Sequence, residues 1–328
     1  MDDYLLRVSN LNLSVPAKGK RFLAVSDLSF ALKAGGSLGI VGESGSGKTL
    51  TALAIAGLNN PQVRLESGSI LFNRQELTSL PETDLRSLRG SELAVIFQDS
   101  GGALNPSMRV GDQVSEGLLL GEGMALTAAR QRTASLFAEV ELPGSALLKY
   151  PHQLSGGQRQ RVMIAIALAR EPSLLIADEP TTALDLTTQQ QLLQLLWRLC
   201  RQYHMALLLI SHDIAVVRSL CQEILVLYAG QVMERGDTES ILEHPTHPYT
   251  KGLLGAMPAY SKRNTTLETL QGIAEPIYER LDEGCVFASR CPIMQPLCRE
   301  QRPPLQQRPG GNLHCFLPAI DAHDLRLP

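Results

Sequence analysis

What the chain lacks narrows its class before any motif is read. No apolar run approaches the roughly 18–20 residues that a membrane-spanning helix requires. Segments 165–169 and 206–210 are apolar but short, and they read as pieces of a buried core. The basic excess of a nucleic-acid-binding chain is also missing: 30 Lys and Arg face 33 Asp and Glu, for a net charge of −3. The start, Met1-Asp2-Asp3, carries no basic segment followed by an apolar one, so no secretory signal is expected. Neither an internal repeat nor a low-complexity tract interrupts the 328 residues. These absences point to a cytosolic chain that reaches a membrane only through a partner. At this length a large α/β domain and a smaller appendage both have room for a core.

Cysteine is scarce and uneven, with six in all. Cys200 and Cys221 stand alone and read as small core residues. Cys285, Cys291, Cys298 and Cys315 crowd the tail. Cytosolic chains rarely keep structural disulfides, so the crowding points toward metal.

Alternating segments between residues 5 and 32 read as antiparallel strands, with Pro16 and Lys18-Gly19-Lys20 marking a turn. Residues 37–41 form a buried strand running into a glycine-rich loop, and 49–57 read as the helix behind it. From about 99 to 170 the pattern is helical. Thr127 is placed to cap a helix carrying Leu136, Phe137 and Val140, and a second helix after Ser155 carries Val162, Met163 and Ile166 inward. Buried strands at 174–177 and 206–210 flank a helix at 187–200, and 223–228 with 231–235 read as a closing hairpin. Strands alternating with helices imply a mostly parallel sheet covered on both faces. Pro245, Pro248 and Pro258 then break the pattern, which places a boundary near residue 243.

Three short motifs carry the chemistry. In Gly42-Glu43-Ser44-Gly45-Ser46-Gly47-Lys48-Thr49 the glycines let backbone N–H groups cradle a polyphosphate, backed by a helix N-terminus. Lys48 adds an ammonium for the β- and γ-phosphates, and the Thr49 hydroxyl can ligate Mg²⁺. Asp178 follows four apolar residues at a strand end, where it can hold Mg²⁺ through water, and Glu179 next to it is the candidate general base. Alone, such an acidic pair more often caps a helix; behind this P-loop it reads as part of a nucleotide site. Leu154-Ser155-Gly156-Gly157-Gln158 makes a second phosphate nest, although in isolation it would be a plain capped helix start. Two nests in one chain either bind two ligands or share one with a partner, and the residues alone leave both open.

Together these motifs resemble the ATP-binding cassette (ABC) proteins over nearly the whole chain. Gln98 in Ile96-Phe97-Gln98-Asp99 matches the family's Q-loop, Ala183-Leu184-Asp185 its D-loop, and His212 in Ile210-Ser211-His212-Asp213 its H-loop. The resemblance implies a P-loop NTPase fold with a RecA-like core, an antiparallel β-subdomain, a helical subdomain at about 99–170 and a small Cys-containing C-terminal extension. It divides the chain into a nucleotide-binding domain at 1–243 and an extension at 244–328. Two such subunits would sandwich two ATP molecules head to tail. Gly42, Ser44, Gly45, Gly47, Lys48, Thr49 and Asp178 would then bind ATP and Mg²⁺, and Ser155, Gly157 and Gln158 would contact the ATP on the partner's P-loop. Gln98 would sense Mg²⁺ and water, His212 would contact the γ-phosphate and orient Glu179, and Phe22 is the candidate adenine-stacking aromatic, with core packing as its alternative.

The likeness narrows to the oligopeptide/dipeptide importer ATPases through Tyr150-Pro151-His152-Gln153, Ala103-Leu104-Asn105-Pro106, His247-Pro248-Tyr249-Thr250 and the four-cysteine tail. Ser100-Gly101-Gly102 departs from that pattern, at a loop where the family touches its permease. The four cysteines are spaced too widely for a zinc ribbon. They could hold a [4Fe–4S] cluster, as the resemblance implies, or zinc, or stay unligated. The partners implied are two permease subunits, a second ABC ATPase (a paralogue or a second copy) and, indirectly, a solute-binding protein, at the cytoplasmic face of the inner membrane. Nickel, a metal chelate or an antimicrobial peptide are alternative cargoes. A soluble ABC ATPase without a permease is the rival, though the two cassettes or long coiled-coil insertion usual there are missing.

Overall fold

The computed structural model describes residues 4–98, 100–182, 184–256, 270, 272–280, 283–308 and 310–316. Two sheets organise the chain. Strands β1 (Tyr4–Ala17) and β2 (Lys20–Lys33) form a long hairpin; β3 (Ser37–Val41) then leads through a glycine loop into α1 (Lys48–Ile55). Lys18 and Gly19 both have positive φ, as a two-residue hairpin turn demands. Pro16 lies within β1, opposite Arg21, so the turn is tighter than the sequence reading placed it. Strands β4 (Arg64–Phe72) and β5 (Gln75–Glu76) complete a four-stranded antiparallel sheet in the order β2-β1-β4-β5.

After α2 (Glu82–Arg89), β6 (Leu93–Ile96) enters the second sheet. Helices α3 (Ser100–Ala103), α4 (Val110–Glu122), α5 (Leu126–Glu139) and α6 (Gly156–Leu168) follow. Alternating segments complete the body: β7 (Leu174–Asp178), α7 (Leu186–Gln202), β8 (Ala206–Ser211), α8 (Ile214–Leu220), β9 (Glu223–Tyr228) and β10 (Gln231–Asp237). Then come α9 (Thr238–Glu243), α10 (Pro248–Gly255), α11 (Leu297–Glu300), β11 (Leu305–Arg308) and β12 (Gly311–His314). The large sheet runs β11-β12-β10-β9-β3-β8-β7-β6, and β9, β3, β8, β7 and β6 are mutually parallel.

Period-2 alternation divides the core into two layers. Leu174, Ile176, Leu208 and Ile210 face α1 and the antiparallel sheet, while Leu175, Ala177, Leu207 and Leu209 face the helices α6 and α7. That double coverage is why these strands read as continuous apolar runs. No helix among the described residues is long and apolar enough to cross a membrane.

Several local expectations shift. Ala125, not Thr127, is the N-cap of α5, and no side chain caps that end. Val162 and Met163 are buried on α6, but Ile166 is 38% exposed. Pro248 opens α10 at its first position, where a missing N–H costs nothing, so it starts a helix rather than ending order. Pro258 lies outside the described residues. Strands β11 and β12 were not foreseen; β12 pairs with β10 through Glu234↔Leu313 and Arg235↔Asn312, so the tail extends the main sheet.

Candidate functional site

The glycine loop between β3 and α1 is shaped by close backbone approaches. A side chain at Gly42 would place its Cβ 2.0 Å from the carbonyl oxygen of Leu227, so only glycine fits beside β9. Gly47 caps α1 with φ 100°, a conformation in which a Cβ is strained. Lys48 is buried, and its Nζ donates to the carbonyls of Gly42 (2.8 Å) and Glu43 (2.9 Å). Burial lowers the Lys48 pKa, while the charges of Glu179, Asp178 and Glu43 oppose the shift. Ser44, Gly45 and Thr49 are exposed around it.

Asp178 closes β7, which lies in the same sheet as β3 with β8 between them. Burial raises its pKa against a hydrogen bond with the Thr49 side chain, and its Oδ1 is buried with no hydrogen-bond partner. An orphaned carboxylate oxygen beside a hydroxyl suits a hard divalent cation, so these residues fit Mg²⁺.

Glu179 follows with φ 46°, and three side chains converge on its carboxylate. Gln98 Nε2 and Thr182 Oγ1 each donate to Oε2 at 3.0 Å, and His212 Nδ1 lies 3.0 Å from Oε1. The Glu179 amide donates to Ile210 O (2.9 Å), which ties its backbone to β8, whose end carries His212. Burial alone would raise the Glu179 pKa. Hydrogen bonds from His212 and Thr182, with the charges of His212 and Lys48, outweigh it and hold the carboxyl below the ordinary range. Gln98, Glu179 and His212 therefore meet as the sequence reading grouped them. Thr182 was missed, although Thr181-Thr182 directly after Glu179-Pro180 is the only signal for it.

The second nest lies at the start of α6. Ser155 Oγ accepts the Gln158 amide (3.3 Å) and Gln158 Oε1 accepts the Ser155 amide (3.1 Å), a reciprocal capping box. A Cβ on Gly157 would lie 2.5 Å from Thr188 Cγ2 at the start of α7. Asp185 caps α7 through the Thr188 amide (3.0 Å); Ala183 lies outside the described residues. The side-chain hydrogen bond of Ser155 is thus to Gln158, while Lys48 turns to its own loop. Phe22 is half-buried on β2 and belongs to neither hydrophobic cluster, which sets aside core packing as its role.

The four tail cysteines gather without converging. Burial pushes Cys285 up to about 12 and Cys291 up to about 11, and each feels the charges of other thiols in the set. The amides of Phe287 and Ile293 bond to the sulfurs of Cys285 and Cys291. Among the described residues, however, no three His, Cys, Asp or Glu side chains are placed to hold a metal ion. The expected metal centre thus has no preformed counterpart among the described residues. Cys221 is buried and Cys200 nearly so, with its thiol pushed up to about 12, as befits inert core residues.

Comparison with known proteins settles the family. The ABC transporter family matches residues 25–182, and the oligopeptide/dipeptide transporter C-terminal region matches 233–298. The oligopeptide transport ATP-binding protein OppD of Escherichia coli is 44% identical over 96% of this chain and 94% of its own. The chain belongs to the ABC transporter ATP-binding family. The dipeptide transport ATP-binding protein DppD of the same organism is 43% identical over 97% of this chain and 98% of its own. Among solved structures, a dimeric bacterial ABC transporter cassette, MJ0796, aligns with TM-score 0.65 and 28% identity over 71% of this chain and 98% of that one. As an ABC ATP-binding chain it uses ATP and Mg²⁺, and the P-loop, Asp178 and Glu179 occupy one edge of its parallel sheet.

Proposed function

We propose that the chain is the ATP-hydrolysing subunit of an importer for di- and oligopeptides, closing on a second nucleotide-binding subunit to do its work. The observation that carries this reading is the convergence of Gln98, Thr182 and His212 on Glu179, one residue beyond the buried Asp178. The peptide cargo rests on the oligopeptide and dipeptide relatives and on the C-terminal region shared with them. Dimeric closure is supported by the cassette solved as a dimer with ADP and phosphate, and by the second nest at Ser155.

In this mechanism the P-loop amides and Lys48 hold the β- and γ-phosphates of ATP. Thr49 and Asp178, with Gln98 beside them, would hold Mg²⁺, which would supply neutralising charge for the phosphate oxygens. Glu179, kept ionised by its partners, accepts the proton of the attacking water as its oxygen bonds to the γ-phosphorus and the bond to ADP breaks. His212 orients Glu179 and reaches the γ-phosphate, while Gln98 fixes the water. Phe22 stacks on adenine. Ser155, Gly157 and Gln158 serve the partner's nucleotide, and closure moves two permease subunits at the cytoplasmic face of the membrane.

Cys285, Cys291, Cys298 and Cys315 belong to the same reading as ligands of a [4Fe–4S] cluster. Their thiols are of the ligand type such a cluster takes, but with no preformed site among the described residues they would have to draw together around it, and the cluster would then cross-link the tail.

Replacing Glu179 with Gln tests the reading. ATP binding should stay within about threefold of wild type, while turnover of the assembled transporter falls by about 10²–10⁴-fold. Turnover near wild type would remove Glu179 from the mechanism.

A further inference from the structure

The P-loop is gripped by residues from the far end of the chain. Glu43, its second residue, accepts a two-bond fork from Arg290: Nη1 to Oε2 at 2.8 Å and Nη2 to Oε1 at 3.0 Å. The Arg290 side chain is only 6% exposed, so the pair sits largely out of solvent. The Glu43 amide donates to the hydroxyl of Tyr249 at 2.9 Å. Its carbonyl takes Lys48 Nζ, so the residue that Arg290 holds by its carboxylate and Tyr249 by its amide also sets the ammonium. Tyr228, Tyr249 and Phe287 pack with ring centroids 4.7–5.3 Å apart and brace both grips. Arg280 donates to the carbonyl of Ala229 (3.0 Å), and Gly230 beside it donates to Ser46 O in the loop (2.9 Å).

We infer that Arg290 is a positioning residue for ATP binding: it fixes the P-loop and cancels the Glu43 carboxylate that would otherwise face the polyphosphate. A carboxylate in a loop built to receive a polyanion repels it, and partial burial strengthens that repulsion. A buried Arg fork both neutralises and immobilises the group, which a mobile Lys does less well. The C-terminal extension is thereby part of the nucleotide site through residues that do not touch the nucleotide.

This inference rests on the ATPase reading, and binding of a fluorescent ATP analogue to the full chain separates the two. Wild-type chain that fails to bind the analogue overturns both. With wild-type binding in hand, Arg290→Ala should raise Kd about tenfold, Arg290→Lys about threefold, and the Arg290→Ala penalty should shrink at high salt. The double variant Glu43→Gln/Arg290→Ala should return to within about threefold of wild type, because the unmasked charge is gone. A merely structural role predicts no such rescue. Arg290→Ala within twofold of wild type, or a double variant as weak as Arg290→Ala, overturns the inference. Should Arg290→Ala not fold, an Arg290→Lys variant with unchanged Kd overturns it equally.

Discussion

Replacing His247 with Asn should flatten the acid sensitivity of folding. His247 is 1% exposed, its Nδ1 accepts the Tyr249 amide at 3.0 Å as the N-cap of α10, and its own amide donates to Glu234 (3.1 Å). Burial, with the charge of His314, depresses its pKa from 6.5 to about 3. The unfolded chain therefore takes up a proton between those values that the folded chain refuses, so stability is full above 6.5 and falls as pH drops. Worked between pH 7 and pH 5, with 6.5 unfolded and 3 folded, the loss from this one group is about 2 kcal/mol. Glu234, whose pKa burial raises despite amide bonds from Thr246 and His247, acts in the opposite sense. It is present in both proteins, so it cancels in the comparison. Asn keeps a capping oxygen for the Tyr249 amide but cannot titrate. At pH 7 the variant should be less stable by about 1–3 kcal/mol, the cost of the lost ring contacts near Phe287. At pH 5 that gap should close by about 2 kcal/mol. Urea midpoints at both pH values and fixed ionic strength measure it, and parallel pH slopes for the two proteins would refute a buried neutral imidazole.

Two further outcomes are expected. Ser155→Ala should leave ATP binding by the isolated chain within about twofold and cost about 1 kcal/mol of stability through the lost cap, while assembled turnover falls about 10²-fold or more; weakened binding by the isolated chain would place Ser155 in its own site. Protein purified without oxygen should be brown and carry about four iron atoms per chain, whereas colourless protein free of iron and zinc removes the cysteines from metal binding.

The motifs that sequence reading placed well are those whose geometry is set within a few residues. Strand, glycine loop and helix follow one another from Ser37 to Ile55, and the apolar run of β7 delivers Asp178 to the sheet edge. Parallel order then carries Ile96, Asp178 and Ser211 to one edge, which brings Gln98, Glu179 and His212 together. What stayed hidden depends on distant partners. Nothing in Leu305-Gln306-Gln307-Arg308 alternates enough to announce β11, which forms because β12 offers a ladder. The cap of α5 at Ala125 uses no side chain, so it leaves no capping residue to read in the sequence. Glu43 and Arg290 lie 247 residues apart, and no spacing rule connects them.

One chain with two phosphate nests left two arrangements open, and the geometry bears on the choice. The P-loop nest has Lys48, Asp178 and Glu179 around it, and so holds a cation, an unpaired metal-ligand oxygen and a base. The nest at Ser155 differs: Arg159 turns its guanidinium to Leu154 O (2.9 Å), the Ser155 side chain bonds Gln158, and glycine at 157 is required by the close approach of Thr188. An isolated nest of that kind offers helix-end amides and a hydroxyl to a phosphate but no proton acceptor. It can stabilise charge on a nucleotide whose chemistry is run elsewhere. A second site in the same chain would lack a base, whereas a site shared across a pair would have one base, one lysine and two nests around each nucleotide. The incomplete nest is therefore the stronger argument for a partner subunit, and it holds whether that partner is a second copy or a paralogue.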